Sequence, residues 1–184
     1  MRVIGGTAGG LNLKGPVDKS VRPTTERVRG AIFNIVDPDQ YTNGKTLDLF
    51  AGTGSLGIET LSRGALHCDF VEGNLSQLRI LQDNLKFTGF TNKSKTYRFD
   101  ILKGLSALEG PYDMVLMDPP YRLSEISEFM NQFSQKDNIF DETTLIVVGH
   151  SKRMPLSSSY GTLHCVDSRS YGDNAIKLYE SRKG

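Results

Sequence analysis

Leu47-Asp48-Leu49-Phe50-Ala51-Gly52-Thr53-Gly54-Ser55-Leu56-Gly57 is the stretch whose reading decides the fold. Apolar residues that read as a buried strand run into a glycine-rich turn, and Ser55 onward reads as the opening of a helix. Gly52, Gly54 and Gly57 make a G-x-G-x-x-G, which permits a tight turn and lets backbone approach a ligand without a Cβ in the way. Amides at the N-terminus of the following helix would face that ligand. Alone, the pattern suits an ordinary strand-to-helix turn as well as a nucleotide-like cofactor, and it does not say which cofactor.

Outward from this turn, strands and helices alternate, the mark of a parallel sheet covered on both faces. Strands are expected at 46–50, 69–71, 95–99, 114–117 and 145–148, with helices at 55–63, 75–87, near 101–108 and at 124–135. Residues 161–167 and 174–180 read as two final antiparallel strands around a turn at Tyr171-Gly172-Asp173. Upstream, Thr24 or Thr25 can cap a helix whose apolar stripe is Val28, Ala31, Ile32 and Ile35. Before that, Val3-Ile4 and Leu11-Asn12-Leu13 flank a glycine-rich run, which predicts a hairpin with a flexible tip.

In an open parallel sheet, ligands bind outside the carboxyl ends of the strands. Asp48 lies in the first strand, and Glu72, Asp100 and Asp118 are expected to close the second, third and fourth. Glu72 comes 18 residues after Gly54, close to the separation of about 20 residues expected of a carboxylate that accepts ribose hydroxyls. Asp100 could accept a hydrogen bond from an adenine amine, and Asp48 is expected to orient the glycine turn through its amides.

Asp118-Pro119-Pro120-Tyr121 is the most informative segment chemically. Two prolines fix φ and remove backbone donors, which leaves carbonyls free to accept. An acidic side chain, a rigid carbonyl and an aromatic face are what an exocyclic nucleobase amine needs before it attacks a methyl group. Its lone pair is delocalised into the ring, and two acceptors on its N–H bonds make the nitrogen more nucleophilic. Catalysis of this kind is mostly orientation, which can supply ~7–11 kcal/mol.

Composition bounds the remaining choices. With 184 residues, 38% hydrophobic and 23% charged, the chain reads as one globular domain, residues 1–21 forming an N-terminal extension and 22–184 the core. No apolar run approaches the ~20 residues of a membrane span, and the N-terminus does not read as a signal peptide, so a cytoplasmic protein is expected; it is taken as a monomer, though no residue pattern fixes that. Cys68 and Cys165 have no metal-ligand spacing and read as buried free thiols, and no metal is expected. The net charge is +1, yet the first 30 residues carry six cations against two acids, leaving −3 for the remainder. That asymmetry suggests a surface for a polyanion.

These residues together resemble the class I S-adenosylmethionine-dependent methyltransferases, in the amino-methylating branch with an (Asp/Asn)-Pro-Pro-(Tyr/Phe) motif. More narrowly the chain is similar to the RsmD family, which methylates the N2 of a guanine in bacterial 16S ribosomal RNA. The resemblance runs through Arg22–Arg29, Ala31–Ile35, Leu47–Glu59, Leu61–Ala65, Val71-Glu72, Asn84-Leu85, Asp118–Tyr121 and Tyr171-Gly172. It implies a Rossmann-like fold with a mostly parallel seven-stranded sheet, an antiparallel final strand and a small N-terminal β-hairpin. S-adenosylmethionine would lie against Gly52 and Gly54, with Glu72 on its ribose and Asp100 on its adenine. Asp118 and the Pro119 carbonyl would grip the guanine amine while Tyr121 stacks on the base. The Arg22–Arg29 segment, with Thr24 and Arg27, would close over the cofactor and face RNA, within a small-subunit particle. Such a target base must be flipped out or already unstacked.

Two departures from the family stand out. The N-terminal tip, Gly9-Gly10-Leu11-Asn12, lacks the usual basic residues, and Gly149-His150 stands where a glutamate is common. His150 could line the pocket, but reads more readily as a strand-end surface histidine. The same residues leave other functions to exclude. An NAD-dependent oxidoreductase shares the glycine motif but gives Asp118–Tyr121 no role. An adenine-N6 methyltransferase or a non-catalytic ribosome-assembly factor would share more.

Overall fold

The computed structural model describes residues 1–16, 25–120 and 126–182. Its frame is an eight-stranded sheet. In chain order the strands are β1 (Lys45–Leu49), β2 (His67–Val71), β3 (Ser94–Tyr97), β4 (Met114–Met117), β5 (Leu145–Ser151), β6 (Ser159–Tyr160), β7 (Leu163–Tyr171) and β8 (Asn174–Ser181). They lie in the order β3-β2-β1-β4-β5-β8-β7-β6. β1 to β5 are parallel, whereas β8 pairs antiparallel with both β5 and β7, and β6 antiparallel with β7. The expected seven strands are therefore joined by an eighth, two residues long, at the sheet's outer edge.

The helices are α1 (Glu26–Ile35), α2 (Ser55–Ser62), α3 (Leu75–Thr88), α4 (Ile101–Gly104) and α5 (Ile126–Phe133). Alternation along each strand assigns the two faces. Met114, Leu116, Leu145 and Val147 pack with Val28, Ala31 and Ile32 of α1. The intervening Val115, Met117, Ile146 and Val148 pack with Phe129, Met130 and Phe133 of α5. On the α1 side, Cys68 and Phe70 of β2 meet Ile58 and Leu61 of α2 and Leu78, Leu81 and Leu85 of α3. Helices on both faces of a parallel core make a doubly wound sheet, and the strand order reverses between β1 and β4. The ends of those two strands carry the glycine turn and Asp118.

In residues 1–16 the two arms of the expected hairpin are joined by backbone bonds, Val3 amide to Leu11 carbonyl at 2.9 Å and Leu13 amide to Met1 carbonyl at 2.7 Å, without forming regular strands. A single antiparallel bridge joins Arg2 to Asn12. The glycine-rich tip is docked against α2: Thr7 donates its amide to the Ser62 carbonyl at 2.7 Å, and the Ala8 amide reaches Ser62 Oγ at 2.9 Å. Gly6, at φ +73°, comes so close that a Cβ there would lie 1.8 Å from the Ser62 carbonyl oxygen. Helix C-termini leave carbonyls without intrahelical donors, and this segment supplies them.

Candidate active site

Asp48 sits in β1 with its side chain buried, an expensive place for a carboxylate unless it holds something. Its Oδ2 accepts the Gly57 amide at 2.8 Å, tying the strand to the first turn of α2. Burial pushes its carboxyl up to about 8; the Gly57 amide draws it down, and the charges of Asp118 and Glu72 push it up again. Beyond β1 the backbone turns through positive φ at Phe50 (60°), Gly52 (55°) and Gly54 (85°). A non-glycine residue in that region is uncommon and marks strain held at a special site.

The three glycines of the motif do different jobs. A Cβ at Gly52 would meet nothing within 4 Å, so its α-carbon borders open space. A Cβ at Gly54 would lie 2.2 Å from Leu81 Cδ1, and one at Gly57 would lie 2.3 Å from Phe70 Cε1. Gly54 and Gly57 thus let α2 approach α3 and the sheet, while Gly52 alone leaves its side-chain direction to a ligand.

Glu72 follows β2 and braces the same turn. Its Oε2 accepts the Gly52 amide at 2.8 Å and its Oε1 the Asn74 amide at 2.7 Å. Burial raises its carboxyl pKa, opposed by those two amides. Each carboxylate oxygen has a second lone pair, so Glu72 can accept two hydroxyl donors while bracing the loop. Asp100 does not close β3 as expected. It lies three residues past the strand, exposed, with its carbonyl accepting the Lys103 and Gly104 amides at the start of α4.

Asp118 follows β4 directly, and its carboxyl is pushed up by burial to about 6. Its Oδ1 would lie 2.8 Å from a Cβ at Gly149, so the glycine after Val148 makes the space its carboxylate occupies. Pro119 is buried and Pro120 exposed. Tyr121 and Thr24 lie outside the described residues. Asp48, Glu72 and Asp118 therefore share one end of the sheet beside the glycine turn. The charges of Asp118 and Glu72 both act on Asp48, and acids gathered at one site suit a cationic ligand.

The basic N-terminal segment reads differently in three dimensions. Arg29, expected to face RNA, has no exposed surface; its Nη2 donates to the Arg2 carbonyl at 2.5 Å and its charge faces Glu59 and Glu26. Arg2 pairs with Glu26 at 3.8 Å and Lys14 with Asp83 at 2.8 Å. Arg27 is exposed. His150 is buried rather than at the surface, and its Nδ1 lies 3.0 Å from the Ser151 carbonyl. A carbonyl only accepts, so Nδ1 carries the proton. Burial lowers its pKa and leaves Nε2 without a hydrogen-bond partner among the described residues. Cys68 is buried and free as expected, whereas Cys165 is half-buried.

Sequence reasoning assigned no role to Asn84. This α3 side chain donates from Nδ2 to the Thr53 and Lys14 carbonyls, both at 3.0 Å, and accepts the Lys14 amide at 2.8 Å. It thus pins the glycine turn to the N-terminal segment, and a long-range tie of this kind leaves no local pattern to find. The Gly149 contact was equally out of reach, because it depends on the β4–β5 register.

The family profile described as Conserved hypothetical protein 95 matches residues 1–180. The chain is 34% identical to the Bacillus subtilis protein YlbH, over 99% of this chain and 100% of that one. It is 30% identical to the Escherichia coli protein named Ribosomal RNA small subunit methyltransferase D, over 98% of this chain and 89% of that one. Among solved structures, the Escherichia coli protein yhhF superposes with a TM-score of 0.84 at 29% identity, covering 99% of this chain and 98% of that one.

Proposed function

Since the chain belongs to the family described as Conserved hypothetical protein 95, the RsmD family, we propose that it transfers a methyl group from S-adenosylmethionine to the exocyclic N2 amine of a guanine in small-subunit ribosomal RNA. The whole chain acts as one methyltransferase domain in this reading. The observation that carries it is the placement of Asp118-Pro119-Pro120 at the end of β4, across the strand-order switch from the Asp48–Gly57 turn.

The residues present fit the cofactor. Gly52 opens its α-carbon to the pocket, Glu72 keeps acceptors for a pair of hydroxyls, and the Glu72 and Asp118 carboxylates favour a cation. Asp48 and Asn84 hold the turn, Glu72 receives the ribose, and Thr24, Arg27, Gly54 and Asp100 border the remainder. When bound, S-adenosylmethionine supplies an electrophilic methyl group on a positively charged sulfur.

The chain's own residues prepare the acceptor. Asp118 and the Pro119 carbonyl accept the two N–H bonds of the amine, withdrawing its lone pair from the base and aiming it. Proline at 119 and 120 keeps that carbonyl in place and offers no competing N–H. Tyr121 stacks on the unstacked base. A carboxyl lifted to about 6 is a stronger acceptor than one at its ordinary value, yet it stays ionised at neutral pH.

The decisive experiment is nucleoside mass spectrometry of ribosomal RNA from a strain lacking the gene. Loss of one N2-methylguanosine is the expected result; an unchanged profile refutes the assignment. A thermal shift with S-adenosylhomocysteine and none with NAD is expected of the purified protein.

A further inference from the structure

Three of the N-terminal cations already have partners within the protein. Arg29 is buried, while Arg2 and Lys14 are paired with Glu26 and Asp83. An RNA substrate still needs phosphate contacts near the pocket, because these supply most of the affinity and fix register.

At the same end of the sheet as Asp118, the turn after β5 presents two adjacent cations, Lys152 and Arg153. Both are exposed, and neither forms an ion pair among the described residues. The turn itself is fixed. The Met154 amide donates to the Ser151 carbonyl at 3.0 Å, and the Arg153 amide to Ser151 Oγ at 3.2 Å. The Lys152 amide donates to the Asp173 carbonyl at 2.9 Å, tying the turn to the β7–β8 connection. His150 braces it from below through the Ser151 carbonyl. Gly149 faces the Asp118 carboxylate, whose Oδ1 would lie 2.8 Å from a Cβ there, so Lys152 stands three residues of extended chain, roughly 10 Å, from the reacting end.

We infer that the Ser151–Met154 turn is an RNA-docking element, in which Lys152 and Arg153 take two backbone phosphates beside the nucleotide whose base lies at Asp118. This rests on the methyltransferase reading above. The fixed backbone presents both charges at little conformational cost, and it sits next to the strand that carries the chemistry.

The test is methyl transfer to small-subunit particles from a strain lacking the gene, measured from about 50 to 200 mM salt. For Lys152→Ala/Arg153→Ala, the KM for RNA rises roughly tenfold at the upper salt, and the log–log salt slope falls by about 1.4, or 0.7 per phosphate on a single strand. The kcat, the KM for S-adenosylmethionine and binding of S-adenosylhomocysteine stay at wild-type values. Lys152→Arg/Arg153→Lys keeps the wild-type slope. Lys86→Ala/Lys93→Ala, two exposed cations at the far end of the sheet, changes nothing. Unchanged RNA KM and slope in the double alanine variant, with an active wild type, overturn this inference alone; so does a slope lost equally in the charge-preserving variant. A wild type that methylates no RNA removes the functional reading and this inference with it.

Discussion

At the scale of single residues, the buried carboxyls set the pH behaviour. Asp118 must be ionised to accept an N–H bond, and its carboxyl sits at about 6. Turnover is therefore expected to climb with pH through an acid limb near 6 and to level off above it. Asp118→Ala lowers methyl transfer by at least ~10²-fold, while S-adenosylhomocysteine still binds, as thermal shift would report. Retained activity removes Asp118 from the mechanism. Stability runs the other way. A carboxyl raised above its unfolded value of 3.8 contributes stability below that pH, and loses it as pH rises through the folded value, about 6 for Asp118 and about 8 for Asp48. The ligand-free protein thus weakens between roughly pH 4 and 8 on this account. Asn at position 48 can still accept the Gly57 amide without carrying a buried charge. Asp48→Asn is expected to raise the melting temperature of the ligand-free protein at pH 8 by at least ~2 °C. Above about pH 8, where the wild-type carboxyl is charged, it should weaken cofactor binding through the lost negative field. A melting temperature that falls at pH 8 contradicts the assignment.

At the scale of elements, the glycine motif separates into parts that sequence alone treats as equal. Gly57 is a packing glycine: Gly57→Ala drives a Cβ into Phe70 and Cys68, pushing α2 off β2. Overpacking of this kind costs ~1–3 kcal/mol, and a fall in melting temperature with or without ligand is expected. Gly52→Ala meets no atoms but holds an alanine at φ +55°, a strain of ~1–2 kcal/mol, and its methyl enters the space left for a ligand. Its larger effect is therefore on affinity for S-adenosylhomocysteine, measured by calorimetry. Equal affinity losses in the two variants count against this division. The strands, the helix stripes and the acidic strand ends were legible because period-two and period-3.6 patterns are local. The α5 face of Ile126, Phe129, Met130 and Phe133 is buried as its spacing requires. What was not legible depends on long-range closure. Arg29 looks like a solvent-facing cation on a helix wheel, and only the arrival of the Arg2 carbonyl and the Glu59 charge turns it inward. Asp100 looks like a strand end, but β3 stops at Tyr97 and the acid begins a helix instead.

At the scale of the whole molecule, the N-terminal segment is structural before it is anything else. Glu59 on α2 is fully buried, and its carboxylate is satisfied by the Ile4 and Gly5 amides, both at 2.8 Å, and by Arg63 Nε at 2.7 Å. Val3, Ala8 and Leu13 lie in the core formed with α2 and α3. Asn84 then joins Lys14 to the Thr53 carbonyl, so the segment reaches the glycine turn itself. Removing residues 1–14 would expose that apolar surface, at ~1.5–3 kcal/mol for each large side chain. It would also strip two of three donors from a buried carboxylate, at ~1–3 kcal/mol for each hydrogen bond lost. Together these consume most of the 5–15 kcal/mol by which a domain is typically stable. The chain lacking residues 1–14 is therefore expected to lose its cooperative urea transition, with S-adenosylhomocysteine failing to shift its melting. A truncated chain that melts at the wild-type temperature and differs only in RNA affinity would make the segment an RNA-binding arm, and return the charge-based reading of the N-terminus to first place.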